Sequence, residues 1–237
     1  MRRIELVLVD FDDTLVNTAP RFLGARRALF ERLEALGFDG DRCRELHHGS
    51  VDPEMMGRYG LGPARLEHSF RETYGRICAE FAVEVDDAVA EALADLGRTV
   101  AGTPPLLAGA IDALRTLAAA HPTALYTQSG DPDYQLRCVR EAGVLDILSE
   151  ERVHVCPRKT PDAFRDVLDR FGVEDPAGAW MVGNSIRSDL NPALACGAHA
   201  ILVDVEEPWE FDLVEPVSED FVRARSFADA VAYLLGQ

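Results

Sequence analysis

Residues 4–9 read Ile-Glu-Leu-Val-Leu-Val, and this apolar run ends abruptly in Asp10-Phe11-Asp12-Asp13-Thr14-Leu15. The short, mostly aliphatic stretch predicts a β-strand. Three carboxylates follow it within four residues. A strand that finishes this way delivers negative charge to the carboxyl edge of a sheet. Such a cluster is costly unless a cation neutralises it. The opening segment therefore predicts both a sheet and a metal site at its edge.

The rest of the chain extends the first expectation. Residues 123–127, 152–155, 179–183 and 200–204 are short, apolar and bounded by turn residues, and they predict four more strands. Helical patterns lie between them, at 108–120, 133–142, 161–171, 187–196 and 226–235. Gly143, Gly172 and Gly197 stand where such helices end, and Ser226 stands where the last begins. Strand-helix alternation predicts an α/β fold, a doubly wound parallel sheet with helical crossovers. One interval breaks the rhythm. Between Leu15 and Pro104 no strand is evident, and helices are expected at 20–36, 63–81 and 86–99, with a weaker element at 41–48. The expected organisation is a Rossmann-like core of residues 1–16 and 105–237 and an inserted helical domain of residues 17–104. Gly102-Thr103-Pro104-Pro105 reads as the hinge between them. The insertion follows directly on the acidic cluster, as a lid over a site would. The stretch Glu206–Pro216, with Trp209 and Phe211, reads as a surface connection.

Composition narrows the partners. The chain has 237 residues, 47 % of them hydrophobic, enough for a sizeable core, and a net charge of -17. That charge opposes sequence-independent binding of nucleic acid or an anionic membrane. It also means that an anionic substrate needs a locally positive site. The five cysteines are widely spaced with no C-x-x-C pair, a poor disulfide or zinc framework. With no apolar signal segment at the start and no apolar run of membrane-spanning length, the expectation is a soluble cytoplasmic protein. Among 24 basic residues there is a single lysine, Lys159. A compact ammonium differs from the planar guanidinium used everywhere else, which invites a chemical explanation.

Four features then fall at the ends of predicted strands. Asp10 and Asp12 are two residues apart, and at a strand end both can reach one substrate. One can attack phosphorus and bind a metal, while the other protonates a leaving oxygen and later deprotonates water. Thr14 is placed to orient Asp12. A turn or helix cap would use the same residue types. Thr127, with Gln128 and Ser129, ends the second strand, as phosphate-binding groups or as an ordinary cap. Lys159 follows the third strand, where it can neutralise a carboxylate and a phosphate together. Arg158 beside it either shares that charge or faces solvent. Asn184 and Asp189 follow the fourth strand, as metal ligands or as helix-capping groups. Ligands bind at this edge of such sheets.

With these residues together, the chain resembles the haloacid dehalogenase-like hydrolase superfamily over nearly its full length. Asp10-Phe11-Asp12-Asp13-Thr14-Leu15 looks like its first motif, D-x-D-x-T-L. Thr127 is similar to the second motif, Lys159 to the third, and Asn184 with Asp189 to the fourth. The resemblance implies Asp10 as the nucleophile that forms an aspartyl-phosphate and Asp12 as general acid/base. It implies Mg2+ held by Asp10, the backbone carbonyl of Asp12, and Asp189, with Asn184 binding weakly or through water. Substrate phosphate would meet Thr127, Gln128, Ser129 and Lys159, and the insertion is similar to the helical C1 cap. The fourth motif often carries Asp where this chain has Asn184, which implies weaker magnesium affinity. Dehalogenases of the superfamily lack an acid at the position of Asp12. The implied activity is therefore a magnesium-dependent phosphatase acting on a small phosphorylated metabolite. A phosphomutase, a haloacid dehalogenase or a catalytically weak binding protein is the alternative. In the insertion, His47, His48, Arg58, Tyr59 and Arg65 are the polar candidates for substrate choice, each expected at the solvated surface.

Overall fold

The computed structural model describes residues 3–206 and 214–237. Trp209 and Phe211 of the expected surface connection lie outside the described residues. In chain order the elements are β1 (Leu6–Val9), α1 (Ala19–Ala35), α2 (Gly40–Leu46), α3 (Asp52–Tyr59), α4 (Ala64–Glu80), α5 (Asp87–Arg98) and α6 (Ala110–Ala120). They continue with β2 (Thr123–Gln128), α7 (Pro132–Glu141), β3 (Val153–Cys156), α8 (Pro161–Arg170) and β4 (Ala179–Gly183). The chain closes with α9 (Asn191–Ala195), β5 (His199–Val203), β6 (Val222–Ala224) and α10 (Phe227–Leu235). No helix among the described residues is long and apolar enough to cross a membrane.

The six strands form one parallel sheet in the order β3-β2-β1-β4-β5-β6. The apolar run of β1 is uninterrupted because its residues enter two cores in alternation. Val7 and Val9 join Leu114, Leu117, Val139 and Phe227 on one face. Leu6 and Leu8 join Phe164, Val167 and Met181 on the other. A strand covered on both faces has no polar side to show, and each such side chain contributes roughly 1.5–3 kcal/mol by leaving water. The order reverses at β1, whose neighbours β2 and β4 run outward in opposite directions, and this is where such sheets open a crevice at their carboxyl edge.

Two elements depart from expectation. β6 was not expected, because three residues reading Val-Arg-Ala carry too little alternation to mark a strand. The predicted helix over 187–196 is instead a widened turn, Ile186–Leu190, followed by the short α9. Pro192 lies in the first turn of α9. A proline inside a regular helix clashes with the carbonyl four residues back and gives no N–H. The chain avoids this by the wider turn, in which the Asn191 N–H donates to the Ile186 carbonyl.

The chain divides into two compact units, Met1–Ala19 with Thr103–Gln237, and Pro20–Gly102. The first contains the sheet. Where the chain leaves it and returns, the Asn17 N–H donates to the Pro105 carbonyl at 2.7 Å and the Leu107 N–H to the Leu15 carbonyl at 2.9 Å.

The second unit is helical around Leu29, Leu33, Leu66, Phe70, Ile77 and Leu93. Helices α4 and α5 approach so closely at Gly97 that a β-carbon there would lie 2.5 Å from the Glu67 nitrogen. Helix α3 was not expected: Pro53 and Gly57 obscure its periodicity. It is preceded by a widened turn, His47–Val51. His48, Arg58 and Tyr59 are exposed as expected, but His47 and Arg65 are buried. For Arg65 the reason is Asp52, itself buried and paired with both Arg65 and Arg26, and accepting from Ser69 Oγ at 2.8 Å. Nearby, Thr73 donates to the Ser69 carbonyl at 2.7 Å, so at 2.9 Å it accepts from His47 Nδ1. Burial holds the His47 imidazole at about 3, neutral at ordinary pH.

Burial alone would raise the Asp52 carboxyl, but the Arg65 and Arg26 guanidiniums outweigh it and hold the group well below the usual carboxylate range. Removing one partner of such a cluster strands the others, so Asp52→Ala is expected to cost about 3–5 kcal/mol, read as a fall in denaturation midpoint. The folded pKa lies below the unfolded value of about 3.9. The stabilisation is therefore complete above that value and is lost as pH falls below it. Between about pH 4 and pH 2 the wild type should lose stability more steeply than Asp52→Asn. Parallel acid limbs for the two proteins would refute this account.

Candidate active site

The carboxyl ends of β1 to β4 bring the sequence-predicted residues to one place. Asp10 follows β1 directly, and its N–H donates to the Val182 carbonyl of β4 at 2.9 Å, which ties the two strand ends together. Asp10 is 6 %, Lys159 5 % and Asp189 3 % exposed. Lys159 Nζ lies 2.6 Å from Asp10 Oδ1 and 2.5 Å from Asp189 Oδ1, so the one lysine bridges the two acids. Its ammonium also sits 5.1 Å from the ring centroid of the buried Tyr126, within cation–π range. Arg158 is exposed.

Asp189 is fixed from its far side. The Ser185 N–H donates to Asp189 Oδ2 at 3.0 Å, within the widened turn after β4. Gly183 makes room for it, since a β-carbon at that position would collide with the Asp189 carboxylate.

The two remaining acids of the first segment do different work. Asp13 takes a left-handed φ of 55°, and its Oδ1 accepts from the Thr18 and Ala19 N–H groups, both at 2.8 Å. It shapes the turn into α1. Asp12 accepts from Thr18 Oγ1 at 2.6 Å on one oxygen and from Gln135 Nε2 at 2.7 Å on the other. Thr14, expected to orient Asp12, instead lies 3.4 Å from Asp10 Oδ2 and 3.3 Å from Asn184 Oδ1. The reason is the turn at Asp13, which separates Asp12 from Thr14 and leaves the threonine beneath Asp10.

At the end of β2, Thr127 is fully buried and its Oγ1 accepts from Gln135 Nε2 at 2.9 Å. Gln128 Oε1 accepts from the Lys159 backbone N–H at 2.6 Å. The Ser129 N–H donates to the Cys156 carbonyl and its hydroxyl to the Asp131 carbonyl. In these contacts Gln128 and Ser129 shape the loops that carry Thr127 and Lys159. The sequence reading overlooked Thr18 and Gln135. Gln135 had a signal, because it shares the buried stripe of α7 with Cys138 and Val139 and is the one amide on that stripe.

The electrostatics favour a further cation. Burial pushes the Asp10 carboxyl up to about 8, and the charges of Asp189 and Asp12 add to the effect, while Lys159 opposes it. For Lys159, burial alone would lower the pKa, but Asp10 and Asp189 outweigh it and hold the ammonium protonated. Two acids thus share one lysine, and the charge of a third, Asp12, bears on Asp10. Among the described residues, no three His, Cys, Asp or Glu side chains are grouped as a metal-binding set. Magnesium does not require one, because it takes oxygen ligands and is usually held by one or two carboxylates, water and substrate phosphate. Two buried carboxylates, the nearby Asn184 amide oxygen and an excess of negative charge fit that ion.

Residues 4–197 match the family model of haloacid dehalogenase-like hydrolases, and the chain belongs to that family. A haloacid dehalogenase-like family hydrolase from Xanthomonas campestris has a similar structure, with a TM-score of 0.81 and 23 % identity, covering 98 % of this chain and 91 % of that one. A 2-haloacid dehalogenase from Pseudomonas syringae pv. Tomato gives a TM-score of 0.58 at 20 % identity, over 98 % and 99 % of the two chains. A HAD phosphatase from Thermococcus onnurineus gives 0.58 at 19 % identity, also over 98 % and 99 %. No curated protein sequence matches the chain. The neighbours carry different activities on one fold, so the choice of reaction rests on the site.

Proposed function

We propose that the chain is a magnesium-dependent phosphatase that hydrolyses a small phosphorylated metabolite through an aspartyl-phosphate on Asp10. The observation that carries this reading is Asp12, a second carboxylate two residues from Asp10, held on both oxygens by Thr18 and Gln135. Displacing an alkoxide from phosphorus requires a proton donor, and hydrolysing the resulting acyl phosphate requires a base. Displacing a halide requires no such donor. In this reading Asp10 attacks phosphorus in line and Asp12 protonates the departing oxygen. Asp12 then takes a proton from the water that frees the phosphate. Lys159 offsets the charge of Asp10 and of the phosphoryl group, and the Thr127 hydroxyl binds a phosphoryl oxygen. Mg2+ would be held by Asp10, the Asp12 backbone carbonyl and Asp189, with Asn184 directly or through water. When bound it supplies positive charge against the phosphoryl oxygens. The helical unit, inserted between β1 and β2, is read as the cap that selects substrate. Five free cysteines support a reducing, cytoplasmic setting.

A second reading, haloacid dehalogenase, draws support from the dehalogenase among the similar structures. One experiment separates them: a screen of metabolite phosphates with magnesium or with EDTA, beside a 2-haloacid panel. Phosphate release that needs magnesium is expected. Halide release in EDTA without phosphate release would replace the phosphatase with the dehalogenase. An isomerised sugar phosphate without free phosphate would make the protein a mutase, and tight binding without turnover a binding protein.

A further inference from the structure

Gln135 is the residue of the site for which neither the family motifs nor the reaction has supplied a role. It lies in α7, is 4 % exposed, and its single Nε2 reaches both Asp12 Oδ2 (2.7 Å) and Thr127 Oγ1 (2.9 Å). The donor inventory makes this contact directional. Asp12 Oδ2 accepts from Gln135 Nε2, so it is the NH2 of the amide that faces Asp12. The same nitrogen has one further hydrogen, which goes to Thr127. Thr127 Oγ1 therefore accepts, and its own hydrogen is left for another acceptor. Phosphoryl oxygens are acceptors of that kind.

We propose that Gln135 is a positioning residue that sets the polarity of this network: it holds the Asp12 carboxylate in place and turns the Thr127 hydroxyl outward as a donor to substrate phosphate. The proposal rests on the phosphatase reading. Its point is that one amide couples the group handling protons to the group holding phosphate. An isosteric change of hydrogen-bond sign should then do as much harm as removing the amide. Gln135→Glu keeps the shape but offers acceptors to both partners, so Thr127 donates to it and is lost to the phosphate, while Asp12 meets a like charge. Gln135→Leu removes both hydrogen bonds.

The test uses the full chain with magnesium and compares both variants with wild type. It measures kcat and KM on p-nitrophenyl phosphate, affinity for inorganic phosphate by calorimetry, and melting temperature. Both variants should lose kcat by about tenfold or more, as expected when a general acid/base is misplaced. Their phosphate affinity should fall by about threefold or more, with Gln135→Glu at least as weak as Gln135→Leu. A purely structural role predicts lower melting temperatures with unchanged turnover and phosphate affinity in the folded protein, and that result would overturn the proposal. So would variants within about twofold of wild type on both measures. If wild type neither hydrolyses the ester nor binds phosphate, the phosphatase reading falls and this inference with it. An active wild type matched by both variants removes this inference alone.

Discussion

Asp10→Asn is expected to abolish phosphate release, lowering kcat by about 10^4-fold or more, as losing a nucleophile does in enzymes that work through a covalent intermediate. The amide cannot form the acyl phosphate, and no neighbouring side chain replaces it, because Asp189 is committed to Lys159 and to the Ser185 N–H. The loss should come without damage to the fold. The folded pKa of Asp10 is raised to about 8 by burial and its acidic neighbours. For an acid raised above its unfolded value of about 3.9, the folded state binds the extra proton. Stability is therefore lost as pH rises from about 4 through 8. Asparagine removes that term and leaves Lys159 balanced by Asp189. The metal-free variant should melt at or above the metal-free wild type at neutral pH. Phosphate release at wild-type rate would end the assignment of Asp10. Lost activity with a collapsed melting temperature would mean that Asp10 is structural.

Asp12→Asn should divide substrates by their leaving groups. For alkyl phosphates, whose departing alkoxide needs a proton, the expected loss is about 10^2–10^4-fold. With p-nitrophenyl phosphate the phenolate leaves unaided, so the first step survives and the second, which needs a base to activate water, stalls. The variant should then release a burst of p-nitrophenolate equal to the enzyme present, followed by slow turnover. The substitution suits its surroundings. An amide nitrogen turned toward Thr18 Oγ1 meets a hydroxyl that can accept as well as donate, and the amide oxygen can still accept from Gln135. Equal losses on both esters with no burst would remove Asp12 from the proton-transfer role and reopen the dehalogenase reading.

Much of the sheet was legible because its signals are local. The apolar run of β1 and the acids that end it are adjacent in the chain, and Lys159 stood out by being the one lysine. The rest depends on distant partners. Gln135 acquires its meaning from Asp12, 123 residues away, and nothing in the sequence around it names that partner. His47 and Arg65 were expected in solvent because polar residues usually are. Asp52 reverses this by drawing two arginines inward, one of them 26 residues upstream. Thr14 is nearer in sequence to Asp12, but the left-handed backbone at Asp13 directs it to Asp10. Pro192 interrupts a run whose pattern is otherwise helical, and the wider turn before it follows from that one residue. β6 has only three residues to speak for it.

The hydrogen bonds joining Asn17 to Pro105 and Leu15 to Leu107 have a consequence for how this architecture can vary. They close the chain at the point of departure, so that the sheet-bearing unit treats everything between them as a loop whose ends already meet. Once the ends are pinned, the entropic cost of a longer excursion grows only with the logarithm of its length. The strand register and the spacing of Asp10, Thr127, Lys159 and Asp189 are set on the near side of that clasp. The excursion can be lengthened, shortened or exchanged without re-solving the geometry of the acids and the lysine. The inserted unit can vary in this way while Asp10, Thr127, Lys159 and Asp189 keep their places on the sheet.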